Sequence, residues 1–125
     1  RLLGSKGAMV VHSGLDEVSI SGATRYASLG DGMVGKGTIS PSDAGFSPKP
    51  LDDLKVTTPA ESARRIEEVF GGTLKGACLE SILINAGAAF MALDSRIGIR
   101  ECVSRATESI RSGEALRALR RARLS

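Results

Sequence analysis

The stretch "ILINAGAAFMAL", residues 82–93, limits the possible folds more than any other part of this chain. It is apolar on nearly every side of a 3.6-residue period, so a helix made from it must be covered all round. The run is too short to cross a bilayer, which takes about 20 residues. Its one polar interruption is Asn85. The helix it predicts, from about Leu74 to Leu93, is therefore the buried centre of a core. Asn85, Gly87 and the surrounding alanines permit close approach by a neighbouring backbone.

Helices are expected on either side of this centre. Thr58-Pro59-Ala60-Glu61 is a capping box with proline at the first helical position. Behind it Ala63, Ile66, Val69 and Phe70 line one face, and Gly71-Gly72 ends the helix. A last helix begins near Ile99 with Cys102, Val103, Ala106 and Ile110 on its inner face, and Gly113 breaks or bends it. Upstream the period changes. "GAMVVHS" is a short apolar run without alternation, as in a strand covered on both faces. "EVSISG" alternates Val18 and Ile20 against Ser19 and Ser21, which predicts a half-buried strand. "TRYASLGDGMVGKGTIS" predicts two strands joined at Asp31-Gly32, a dipeptide suited to a tight hairpin. Residues 41–57 hold three of the four prolines and no stable period, which predicts an ordered surface loop with one turn of helix.

The layout is thus strand, hairpin, loop, then three helices. It corresponds to one partial α/β domain, with strands and hairpin over 1–40, a loop over 41–57 and helices over 58–125. A strand buried on both faces needs neighbours on either side, and few are on offer here. Either the chain pairs with another copy or further strands lie in a segment outside it. The opening "RLLGSKG" fits a helix C-terminus running into a strand, as if the chain starts inside a larger fold.

Composition narrows the function classes. Aromatics are limited to Tyr26, Phe46, Phe70 and Phe90, a poor supply for a base-stacking platform. The formal charge is +3, with five arginines against one glutamate from Arg111 to Arg123. Such a tail is ordinarily a solvated helix face, and a phosphate-binding stripe is the alternative. Cys78 and Cys102 are isolated thiols within apolar helical patterns, expected as buried, reduced cysteines in a reducing compartment. No secretory segment or membrane span is expected.

The chemistry-bearing candidates gather after the first strand, in "VVHSGLDE". Asp16 and Glu17 are consecutive, so on an extended strand they point to opposite faces. In a turn they can converge, and Gly14 supplies the freedom for one. Two carboxylates brought together repel unless a cation joins them. Mg2+ suits such a pair, because it takes oxygen ligands and is usually held by one or two carboxylates plus water and phosphate. Asp-Glu pairs are also common on solvated loops, so both readings stay open on spacing alone. His12 is a candidate base at the strand edge, or a hydrogen-bonded structural residue. "GDGMVGKG" matches neither phosphate-loop pattern. Ser19, Ser21 and Thr24 place hydroxyls near the carboxylates without forming a nucleophilic triad.

Taken together, "GAMVVHSGLDEVSISGATRYASLGDGMVGKGTISPSDAGF", "TPAESARRI", "LINAGAAFMAL" and "SIRSGEAL" resemble the latter part of the anthranilate phosphoribosyltransferase family over essentially the whole chain. The interval from His12 to Asp16 is slightly shorter than that family's. The resemblance implies an α/β fold, namely the C-terminal part of a nucleoside-phosphorylase/phosphoribosyltransferase-like large domain. It is expected to hold a central parallel strand and an antiparallel hairpin packed with about three helices. The implied reaction is phosphoribosyl transfer from phosphoribosyl pyrophosphate to anthranilate in tryptophan biosynthesis, with Mg2+ as cofactor and Asp16 and Glu17 as its ligands. The family's glycine-rich pyrophosphate loop, anthranilate-binding residues and small helical domain lie upstream of the matching segment. The implied partners are that upstream portion and a second copy of the complete enzyme, in the cytoplasm or a plastid. Alone, the chain is expected to be inactive. Two alternatives remain beside the enzyme. One is a nucleic-acid-binding relative of the same fold using Arg117, Arg120, Arg121 and Arg123. The other is a remnant without a function of its own, exposing apolar surface where further strands belong.

Overall fold

The computed structural model describes residues 7–12, 17–30, 33–94 and 96–124. Three strands, β1 (Gly7–His12), β2 (Thr24–Gly30) and β3 (Met33–Ile39), form one sheet in the order β1-β2-β3. Both pairings are antiparallel, with Val11 opposite Tyr26 and Tyr26 opposite Gly37. The pairing of Gly30 with Met33 closes the expected hairpin around Asp31-Gly32, which lies outside the described residues. The Tyr26 side chain covers Gly37, where an added Cβ would stand 2.7 Å from the tyrosine oxygen.

The α/β class is as expected, and two details differ from the sequence pattern. β1 pairs antiparallel at one end of the described sheet, whereas a central parallel strand was expected. Its side chains also follow period two. Met9 and Val11 pack on the core while Val10 is exposed, so among the described residues only one face is covered. The run "AMVV" conceals this because both faces carry apolar residues.

Residues 17–23 are not a strand. The predicted alternation fails at Ser19, which is buried along with Val18 and Ile20. The hydroxyls of Ser19 and Thr24 accept hydrogen bonds from nearby backbone amides and so replace the partners a strand ladder would supply.

The loop over 41–57 holds two single 3-10 turns, Pro41–Ala44 and Leu51–Leu54. Helix α1 (Pro59–Phe70) begins at Thr58, whose Oγ1 accepts the Glu61 amide at 3.0 Å. The reciprocal half of the cap lands one residue early, since the Glu61 carboxylate accepts from the amide and hydroxyl of Thr57. Those bonds, the backbone one foremost, hold its carboxyl below the ordinary glutamate pKa. Helix α2 (Ala77–Leu93) is the central helix. The last helical stretch divides into α3 (Ile99–Arg111) and α4 (Glu114–Leu124), giving four helices. Gly113, at φ 85°, takes the left-handed conformation between them.

The core joins Val18, Ile20 and Ile39 from the strand half to Leu83, Ile84 and Ala88 of α2 and Val103 and Ala106 of α3. Gly87 makes the helix contact close, because a Cβ there would meet Val103 Cγ2 at 2.8 Å and the Val103 nitrogen at 3.2 Å. Ile84 is fully buried at the centre.

Candidate functional site

The expected site follows β1. His12 ends that strand opposite Arg25. The His12 side chain and residues 13–16, Asp16 among them, lie outside the described part, so the first carboxylate of the pair is not placed. The second is. Glu17 is solvent-exposed and stands at the head of a segment that turns inward at once.

That segment is held by side chains and by one backbone contact. Asn85 of α2 accepts the Val18 amide at Oδ1 (2.8 Å) and donates from Nδ2 to the Val18 carbonyl (3.0 Å). Its other Nδ2 hydrogen goes to the Ser81 carbonyl at 2.9 Å. Thr24 Oγ1 accepts the Ser19 amide at 2.9 Å, and Ser19 Oγ accepts the Ser21 amide at 3.0 Å. The Lys49 amide donates to the Ile20 carbonyl at 2.9 Å. The Lys49 side chain reaches Glu80 of α2 at 2.7 Å, a partly buried ion pair that ties the loop to the same helix. The hydroxyls of Ser19 and Thr24, noted beside the carboxylates, thus serve the backbone, and that of Ser21 meets Ser19 Oγ.

Glu17 also lines a cleft of about 170 Å³ between α1 and α2, shared with Ser62, Arg65, Cys78, Ser81 and Ile82. Arg65 is held there by Glu61 at 3.1 Å. A larger cavity of about 440 Å³ lies among the ends of α1, α2, α3 and α4, lined mainly by Phe70, Leu79, Leu83, Ile110 and Leu116. Lys75, Thr107 and Arg111 also line it, and Glu17 is not among its lining residues.

Both thiols are free, Cys102 buried and Cys78 partly so. Burial pushes the Cys102 thiol up, which keeps it protonated and unsuited to act as a nucleophile. In α4 no residue is buried, and Arg123 pairs with Glu67 of α1 at 3.1 Å. No described helix is long and apolar enough to cross a membrane.

A family model described as "Glycosyl transferase family, a/b domain" matches residues 1–116. The chain belongs to that family. The glycosyl transferase a/b domain seen here has named relatives. Anthranilate phosphoribosyltransferase of Symbiobacterium thermophilum is 42% identical over 97% of this chain and 36% of its own length. That of Sorangium cellulosum is 38% identical over 96% of this chain and 35% of its own length. A solved structure, the Saccharomyces cerevisiae anthranilate phosphoribosyltransferase "in complex with PRPP and Mg", superposes with a TM-score of 0.80 at 30% identity, covering 94% of this chain and 34% of that one. The resemblance seen in the sequence is therefore borne out. The chain spans about a third of the length of the curated relatives it matches.

The donor chemistry of the pair fits Mg2+. Asp16 and Glu17 offer hard oxygen ligands, and Glu17 is solvent-exposed. Among the described residues no group of three or more His, Cys, Asp or Glu gathers. Two carboxylates with water and phosphate completing the shell is a common way for proteins to hold this ion.

What the sequence did not reveal was Asn85 as a polar anchor. Its signal was present, because a lone amide within an apolar helical run must find hydrogen-bond partners when buried.

Proposed function

We propose that this chain supplies the C-terminal part of the large α/β domain of an anthranilate phosphoribosyltransferase, as a single partial domain. In this reading Asp16 and Glu17 hold the Mg2+ that accompanies phosphoribosyl pyrophosphate. The complete enzyme is a cytoplasmic homodimer of the tryptophan pathway that also binds anthranilate. The observation that carries the proposal is the exposed Glu17 at the head of a segment fixed from Val18 onward, in a chain similar along its length to enzymes of that name.

The chemistry follows from charge. Bound at this pair, the metal would offset negative charge building on the departing pyrophosphate. The chain's own part is to present the Glu17 carboxylate from a backbone held at Val18. A ligand whose backbone is already held has less to order during the reaction. Residues that contact the ribose or the anthranilate amine belong to the upstream portion.

The test joins this chain to the upstream portion of a relative and measures phosphoribosyl anthranilate formation. Asp16→Ala with Glu17→Ala should lower turnover on the order of 10²-fold or more, as for loss of a transition-state charge stabiliser. Unchanged turnover would remove the pair from the mechanism. The 125-residue chain alone should form no product, and product formed by it would overturn its assignment as an incomplete part. Salt-sensitive retention of nucleic acid by the chain would move the assignment to a binding relative using α4.

A further inference from the structure

We infer that Asn85 is the positioning residue for Glu17, acting through the peptide that joins Glu17 to Val18. The inference rests on the metal reading above and adds to it a residue 67 positions away in sequence.

The geometry begins with the peptide bond. The Glu17 Cα, the Glu17 carbonyl, and the Val18 amide and Cα lie in one rigid plane. Asn85 Oδ1 grips the amide of that plane at 2.8 Å, and Nδ2 grips the next carbonyl at 3.0 Å. Two bonds to the N–H and C=O of one residue fix the orientation of both flanking planes, so the direction in which the chain arrives from Glu17 is set. The amide cannot serve equally well flipped, because the Val18 N–H requires an oxygen and the Val18 carbonyl requires a donor. Ser81 accepts the remaining Nδ2 hydrogen and holds the side chain in this pose from its own helix.

The segment beyond is equally constrained, with Val18 in the core and Ser19 and Ile20 bonded to Thr24 and Lys49. On the other side β1 runs in register to His12, opposite Arg25. Glu17 is therefore fixed from the side that follows it, by Asn85 and the buried segment beyond. Burying an amide in an apolar helical run costs free energy unless its bonds are made. An apolar residue would suit α2 better at this position were there no backbone to bind.

The experiment uses the 125-residue chain with Mn2+ plus inorganic pyrophosphate as probe. Affinity is read from free Mn2+ by electron paramagnetic resonance, and amide exchange is followed residue by residue. Asn85→Leu keeps the branched shape and removes all three bonds. It should weaken the Mn2+–pyrophosphate complex roughly tenfold, as does loss of groups that orient metal ligands. It should also speed exchange at Val18 while amides of Ile84 and Val103 keep their protection. Should that variant melt below the assay temperature, Asn85→Ala, which favours the helix, replaces it with the same expectations. Unchanged affinity, or unchanged exchange at Val18, overturns the inference. Asp16→Ala with Glu17→Ala separates the two claims. If it leaves Mn2+ binding at the parent level, the metal reading itself fails and the positioning role falls with it. If it abolishes binding while the Asn85 variants bind as tightly as the parent, only the positioning role fails.

Discussion

Residues 17–24 and strand β3 divide order and burial in opposite ways. β3 is a regular strand paired along its whole length, yet Met33 and Val34 are 75% and 70% exposed and only Ile39 reaches the core. The segment from 17 to 23 has no regular structure, yet Val18 and Ile20 are each 2% exposed, with both Val18 backbone groups met by Asn85 and the Ile20 carbonyl by Lys49. The ladder with β2 meets the groups on one edge of β3, and its exposed position leaves the others to water, so β3 can lie at the surface. A buried loop has no ladder and must recruit a partner for each N–H and C=O. That requirement brings distant residues together and fixes the loop in one conformation. Such a loop suits the task of presenting ligands, and the regular strand serves as frame.

Three substitutions test this contrast. Ile20→Ala should cost most, about 2–5 kcal/mol, because it empties a fully packed core position. A loss below about 1 kcal/mol in urea denaturation would mean the segment is not part of the core. Thr24→Val keeps shape and removes the acceptor of the Ser19 amide, so about 1–3 kcal/mol should be lost for a buried donor left unmet. A neutral result would show that water or a shifted backbone replaces the hydroxyl. Val34→Thr on β3 should change stability by no more than about 0.5 kcal/mol either way, as at other exposed positions. A cost comparable with Ile20→Ala would place a covering surface over that strand and erase the contrast.

Much of the frame was legible in the sequence. The hairpin followed from two strand-like runs meeting at Asp31-Gly32, and the strands flanking that turn pair as expected. Helix α1 followed from Thr58, Pro59 and Glu61, whose capping roles depend on local geometry alone. Gly113 marked the break between α3 and α4. The segment at the candidate site misled for a physical reason. Val18 and Ile20 alternate with serines as in a half-buried strand, and hydroxyl bonds to the backbone are local competitors that periodicity does not register. The Asn85 contact spans 67 residues, and no local pattern announces which backbone a buried amide will meet. The acidic pair itself gained its meaning from family likeness, with Glu17 placed and Asp16 outside the described residues.

The missing Cβ at Gly87 reaches further than the packing of two helices. Asn85 and Gly87 are two residues apart, about 200° around the axis, so they face nearly opposite sides of α2. One side is seated against the Val103 backbone with no room to spare, and the other holds Val18. A methyl group added at Gly87 would have to push α2 away from α3 or roll it about its axis. Either movement would carry the carboxamide off its target, so a change on the far side of the helix would be felt at the carboxylate of Glu17.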